Sequence, residues 1–428
     1  MRRISTAERR ARLGRLHRLT GNSRASTVEE ATRSIVALHA TDPATVYLSL
    51  QARVRDVTVS GIERALYDDR TLLRMMAMRR TLFVVPVESA PVVQAAAGRA
   101  VAETQRRRYL KLMADNHLDL PVSDYAEWLA DVEAGTLRAL HMRGEAAGAE
   151  LAADEPRLHA TISMAADKSY GGTQKITSWV LNLLALDGHI VRTRPRGSWI
   201  SQQWRWAPAD TWLRGGGNSA ASEVAGLASA GSEVAGRGTG GTGGDLPVEA
   251  ARADLVRRWL AAFGPAPVTD IKWWTGWPLG QVRAALTAIG PEEVDLDGTP
   301  GVMLPESDTE SDTGTGTPEP WIALLPALDP TPMGWSERSW FLGPHDAPGG
   351  GPLFDRNGNI GPTVWCDGRI VGGWAQRRDG EVVVRLLEDV GSAAAAAVET
   401  AAAGVTAWTA PVRVTPRFRT PLEKELSA

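Results

Sequence analysis

The chain has 428 residues, 43% of them hydrophobic and 23% charged, with a net charge of −3 and a pI near 6.2. That length suits two to four compact domains of about 100 to 150 residues each, and the balance of charge excludes a uniformly basic nucleic-acid coat. One cysteine, Cys366, excludes an intrachain disulfide and a cysteine-built metal site. It precedes Asp367-Gly368, a hairpin turn signal, and reads as a strand residue. The histidines show no metal-ligand spacing, so no metal or other cofactor is implied. No apolar run suggests a membrane span, and the basic N-terminus is not followed by an apolar core with a cleavage site, so the expected address is cytoplasmic.

Residues 1 to about 24 predict a basic helix with Leu13, Leu16 and Leu19 on one face, closed by Thr20-Gly-Asn-Ser. Ser26-Thr-Val-Glu29 fits a capping box, and Val28, Ala31, Ile35 and Leu38 follow at helical spacing. This helix is expected to end near His39. A sharp turn through Ala40 and Thr41 then leads to a helix that begins at Pro43 with Asp42 as its N-cap. The Asp side chain accepts free amide protons of the first turn, and Pro has none to leave unpaired. In an extended two-residue step His39 and Thr41 face one way while Ala40 faces the core. Ser60-Gly-Ile-Glu63 starts a third helix, and Leu72 to Val85 turns β-like and carries Arg74, Arg79 and Arg80. Helices followed by a strand ribbon predict a winged helix-turn-helix over 1–90.

The pattern from Pro91 to Ala147 is helical, with a second helix-turn-helix expected around Arg143 to Leu151. An apolar helix, Ser178 to Leu186, is stopped by Asp-Gly. Two strands about Pro195-Arg-Gly then present Arg192, Arg194 and Arg196, so residues 91–214 predict a second winged module. Residues 215–247 are rich in Gly, Ser and Ala, with a repeated Ser-Glu-Val-Ala-Gly, and predict a flexible insertion. A third winged module is expected over 248–305, with Leu255, Trp259 and Leu260 inward, and a linker over 306–319. From 320 to 428, turn signals at Asn357-Gly358, Asp367-Gly368 and Asp379-Gly380 divide short strands, around an alanine-rich helix from Ser392 to Ala403. The fold class expected is α+β: three tandem winged helix-turn-helix modules followed by a C-terminal β-barrel-like domain, or a compact sheet.

The His39-Ala-Thr-Asp-Pro corner resembles the Gln-hydrophobic-Gln motif of the AlkZ-like (YcaQ/AlkZ) bacterial DNA glycosylases, a family of winged-helix DNA-binding proteins. Arg74 to Val85, Ala262-Phe-Gly-Pro with Lys272-Trp-Trp-Thr-Gly276, and Leu324-Leu-Pro-Ala-Leu-Asp-Pro330 resemble further stretches of that family, in the same order. Here His39 and Thr41 stand where the best-known members carry two glutamines.

The resemblance implies a DNA repair protein, a hydrolase that cleaves the N-glycosidic bond of N-alkylpurines or alkyl crosslinks. Its partner would be duplex DNA carrying alkylated purines, and it would act as a nucleoid-associated monomer. An alkylated purine is already a good leaving group, so the protein has mainly to place a water and stabilise an oxocarbenium-like transition state. His39 and Thr41 are the catalytic candidates: the imidazole accepts a hydrogen bond from the water and the hydroxyl orients it. A histidine near its ordinary pKa, about 6.5, is also a competent general base. The structural alternative is a histidine covering the carbonyls at the end of its helix, beside a structural threonine. Only Lys111, Lys168, Lys175, Lys272 and Lys424 are present and none neighbours the corner, which predicts a monofunctional enzyme. Arg79, Arg80, Arg192, Arg194 and Arg196 are the DNA-binding candidates. The alternative function is a non-catalytic winged-helix DNA-binding protein, regulatory or protective.

Overall fold

In the computed structural model, residues 1–116, 122–164, 172–216, 221, 224, 246–305, 320–346 and 348–428 are described. Most of the expected insertion and all of the expected linker lie outside them. The architecture is α+β, built from helices and small, mostly antiparallel sheets.

Strand β1 (Arg2–Arg3) is followed by α1 (Thr6–Leu16), capped by the Ser5 hydroxyl on the Glu8 amide. Helix α2 spans Val28–Ser34. Its capping box sits one residue later than the sequence suggested: Thr27 accepts from the Glu30 amide, while Glu30 accepts from the Ser26 amide and hydroxyl.

Helix α2 does not reach His39. Val36 takes a positive φ of 64°, and Leu38–His39 form strand β2 instead. The helical spacing of Ile35 and Leu38 is therefore coincidental, and both are buried from different elements. The second half of the corner is as expected: α3 (Pro43–Gln51) starts with Pro at its first turn, and Asp42 Oδ1 accepts from the Ala44 amide at 3.1 Å. Helix α4 (Val59–Glu63) follows, and then the hairpin of β3 (Leu72–Met76) and β4 (Leu82–Pro86). Strand β2 adds to this hairpin, pairing Leu38 with Val84 and His39 with Phe83.

Helices Arg99–Asn116 and Tyr125–Arg143 come next. A second sheet follows in the order β5 (Ala146–Ala147), β9 (Arg205–Pro208), β8 (Ile190–Arg192). The helix Thr177–Leu186 precedes β8, and a small hairpin of β6 (Thr161–Met164) and β7 (Gly172–Lys175) lies before it. The helices Val248–Phe263, Val268–Thr275 and Leu279–Ile289 lead to the hairpin β10 (Glu292–Leu296) and β11 (Thr299–Met303). Strand β1 completes this sheet by pairing parallel to β10, so the first residues of the chain are joined to a segment near 295.

The C-terminal sheet has the order β12 (Ile322–Leu325), β13 (Thr363–Cys366), β14 (Arg369–Gln376), β15 (Val382–Leu386). It is an open four-stranded antiparallel sheet. The barrel expectation is therefore corrected to a sheet, with the helix Ser392–Thr409 packed on it. Asp367 and Gly368 make the β13–β14 turn, both with positive φ.

The core is shared between distant parts of the sequence. Ile35, Tyr47, Leu66 and Val84 pack in one apolar cluster with Val371, Trp374 and Val405. The stretch 324–330 docks on α3, where the Thr45 hydroxyl donates to the Ala327 carbonyl at 2.8 Å and the Ser49 hydroxyl to Asp329 Oδ2 at 2.6 Å. Asp42 Oδ2 accepts from the Arg417 amide, tying the corner to the C-terminal segment.

Candidate active site

Strand pairing fixes the corner. His39 is held opposite Phe83, and the Ala40 amide donates to the Leu82 carbonyl at 2.8 Å. Ala40 is fully buried, so the alternation of an extended chain turns His39 and Thr41 to the other side. Thr41 is half-buried on the bend before α3. The His39 ring meets Phe83 edge-on with centroids 5.7 Å apart.

His39 is 8% exposed, and its Nδ1 is buried without a hydrogen-bond partner. Burial, and secondly the positive charge of Arg79, push its pKa down to about 3. The imidazole is therefore neutral at physiological pH, with a free lone pair, and is a much weaker base than an ordinary histidine. The expectation of a near-normal pKa is corrected on this ground. The alternative of a histidine covering helix-end carbonyls also loses its footing, because α2 stops at Ser34 and His39 belongs to a strand.

Arg79 and Arg80 form the turn between β3 and β4, both in the left-handed region at φ 52° and 57°. That conformation is unfavourable for residues with a Cβ. It aims Arg79 onto Trp273, with its guanidinium carbon 4.1 Å from the ring centroid. Close approach here requires glycine on the facing helix end: a Cβ on Gly276 would fall 2.9 Å from Arg79 Cγ. Arg80 donates to Gln105 Oε1 at 3.2 Å.

Arg338 approaches the same indole at 5.3 Å and the Phe354 ring at 5.3 Å. Burial lowers its pKa to about 10, with Arg79 acting in the same direction. Asp270, on the helix that carries Trp273, accepts from the Ser336 amide, the Ser336 hydroxyl and the Glu337 amide, and so sets the turn that presents Arg338. Two guanidiniums thus flank one half-buried tryptophan close to a neutral histidine. Neither arginine makes an ion pair among the described residues.

The other arginine candidates are placed differently. Arg192 is 8% exposed, lies 4.4 Å over the Trp206 ring and donates to Asn182 Oδ1. Arg194 pairs with Glu63 at 2.7 Å and Asp68 at 3.0 Å, which raises its pKa against the lowering effect of its partial burial. Arg196 pairs with Glu150 at 2.8 Å. The structure therefore brings His39, Thr41 and Arg79 together and leaves Arg192, Arg194 and Arg196 engaged with the protein itself. Arg338 was not singled out by the sequence. Its only signal there is local, in Gly334-Trp-Ser-Glu-Arg338, and nothing in that string points 259 residues back to Arg79.

A family model described as DNA glycosylase AlkZ-like matches residues 32–408, a span that contains the corner, the β3–β4 turn, Trp273 and Arg338. The chain belongs to the AlkZ-like DNA glycosylase family. Among solved structures it is similar to the DNA glycosylase AlkZ of Streptomyces sahachiroi, with a TM-score of 0.66 over 97% of this chain and 99% of that one. Sequence identity is 19%, so this likeness speaks for the fold. No curated protein matches. No described helix is long and apolar enough to cross a membrane.

Proposed function

We propose that the protein is a monofunctional DNA glycosylase that hydrolyses the N-glycosidic bond of N-alkylpurines or of alkyl crosslinks, with His39 and Thr41 at the anomeric carbon. The observation that carries this reading is the neutral, buried imidazole of His39 on a strand-fixed corner beside Arg79. A neutral ring accepts a hydrogen bond from water as a glutamine amide oxygen would, without gaining charge. His39 positions the attacking water, and the Thr41 hydroxyl aligns it. A cationic alkylpurine needs little help to leave, so positioning and electrostatic stabilisation carry the step.

In this reading the groups 1–90, 91–214 and 248–305 act as three winged modules, and 320–428 as a C-terminal β-rich domain, around a duplex. Arg79 and Arg80 meet the phosphate backbone from the β3–β4 turn, with Arg338 beside them. Arg194 and Arg196 join only if DNA draws them from Glu63, Asp68 and Glu150, while Arg192 supports the second sheet from beneath Trp206. The protein works as a cytoplasmic, nucleoid-associated monomer.

Duplex DNA carrying 7-methylguanine, incubated with the purified protein and assayed for abasic sites, tests the activity directly. The second reading, a non-catalytic DNA-binding protein, is favoured by one observation: histidine and threonine stand in place of two glutamines. It takes the lead if a panel of N7- and N3-alkylpurines and crosslinks yields no abasic sites while the same DNA is bound.

A further inference from the structure

A second cationic site lies away from the corner, where β3 packs on β8. Arg74 is 4% exposed and lies 4.3 Å over the Trp204 ring. Its Nη1 donates to the Tyr67 hydroxyl at 3.0 Å, but Nε and Nη2 are buried with no hydrogen-bond partner. Those two atoms form one edge of the guanidinium, the fork that grips two oxygens of an oxyanion side by side. Arg192 reaches the same seam from β8 and carries like charge near enough to Arg74 to lower its own pKa further, burial being the larger cause.

Among the described residues, neither guanidinium has an ion-pair partner. The nearby carboxylates, Glu63 and Asp68, are taken by Arg194. Stacking on an indole offsets about 0.5 to 2 kcal/mol per cation, whereas an unpaired buried charge costs several kcal/mol. Two adjacent buried cations with an open fork are the complement of a small anion.

We propose that the seam between β3 and β8 is a phosphate-type oxyanion site, in which the Nε–Nη2 fork of Arg74 takes two oxygens and Arg192 supplies the second positive charge. Two oxygens of one ion meet the two N–H bonds of the fork in parallel, which a single halide can meet only at bent angles, so the geometry favours an ion with at least two oxygens. The oxyanion comes either free, as orthophosphate, or as one phosphate of a bound DNA backbone.

The test follows the melting temperature of the full chain during titration with sodium phosphate, with sodium chloride balancing ionic strength. Wild type should show a rise of about 2 °C at ten times the dissociation constant that continues with the logarithm of phosphate concentration, which chloride does not reproduce. Arg74→Lys keeps the charge but removes the fork, and should lose most of that response. If Arg74→Lys does not fold, Arg192→Gln removes the second positive charge and should weaken phosphate binding by about tenfold, roughly 1.4 kcal/mol. Repeating the titration with saturating unmodified duplex distinguishes the sources. A backbone phosphate in the seam abolishes the orthophosphate response, whereas a free oxyanion leaves it intact. An equal response to chloride, or a folded variant that keeps the full phosphate response, shows a general salt effect only and overturns the site.

Discussion

Arg53 and Asp329 form a bidentate ion pair with neither side chain exposed: Nη2 meets Oδ1 at 2.7 Å and Nη1 meets Oδ2 at 2.8 Å. It joins the residue just past α3 to the Leu324–Pro330 stretch, and so locks the helix that follows the His39–Thr41 corner onto the C-terminal segment. Further hydrogen bonds extend the pair, although Arg53 Nε stays buried without a partner. Arg53 Nη2 also donates to the Thr331 hydroxyl, which lies 2.8 Å from His17 Nδ1, and His17 Nε2 lies 3.1 Å from the Ala262 carbonyl. One polar network thus connects α1, α3, the helix Val248–Phe263 and the C-terminal segment.

Breaking one side of this pair should be severe. Asp329→Asn leaves Arg53 charged and buried, and should cost about 3 to 5 kcal/mol in denaturant unfolding. The double substitution Arg53→Met with Asp329→Leu should recover much of that loss. A single variant within about 0.5 kcal/mol of wild type, the usual effect of a surface change, would show that the pair does not hold the segment in place.

Two buried histidines predict how stability responds to acid. The rings of His17 and His39 are both held down to about 3, in each case mainly by burial. These folded values lie below the unfolded value of about 6.5, so between them the unfolded chain binds more protons. Stability from the neutral rings is complete above pH 6.5 and falls as pH drops towards 3, by about 1.4 kcal/mol per pH unit for each histidine. Denaturant unfolding at pH 8, 6 and 5 should show this slope, and His39→Gln should reduce it. Equal stability at pH 8 and 5 would show that neither ring is buried as a neutral group.

What could be read from the sequence was chemistry that acts within a few residues. The Asp42-Pro43 start of α3, the Asp367-Gly368 turn and the β3–β4 ribbon around Arg79 are all of that kind. The end of α2 was not legible, because Ile35 and Leu38 satisfy helical spacing while strand pairing with Val84 decides the outcome. Such pairing has no local signature, and neither has that of Arg2 with Val294. At the site, His39 and Thr41 were visible as a polar pair on a corner. The depressed pKa of His39 and the arrival of Arg338 opposite Arg79 come from tertiary packing, as does the pairing of Arg194 with Glu63 and Asp68, which a count of arginines cannot anticipate.

The β3–β4 turn separates DNA binding from scaffolding. Arg79→Ala with Arg80→Ala should weaken duplex binding at every sequence and lower the salt slope by about 1 for each phosphate that is no longer neutralised. Trp273→Leu removes the ring on which Arg79 rests and should reproduce part of that effect. Arg194→Ala, which breaks pairs with Glu63 and Asp68, should act on stability and leave the salt slope as it was. The reverse pattern, with the slope moved by Arg194 and not by Arg79 and Arg80, would put DNA against the second tip.

The role of His39 is decided by comparing two substitutions over pH. His39→Ala removes the acceptor that places the water and should lower the excision rate by about 10²-fold, the cost of a misplaced reactant, with DNA affinity nearly unchanged. His39→Gln restores a neutral acceptor and brings the corner closer to the two-glutamine pattern, so it should retain much of the activity. Thr41→Val should lose less than His39→Ala, since its hydroxyl only aligns the water. The pH profile then distinguishes positioning from proton abstraction. Because the ring stays neutral down to about pH 3, His39 should contribute no inflection between pH 5 and 8, and wild type and His39→Gln should share one profile there. An acid limb near pH 6.5 that is present in wild type and absent in His39→Gln would show that the ring titrates normally in the enzyme–DNA complex and works as a general base. Equal excision rates for wild type and His39→Ala would remove His39 from the reaction altogether.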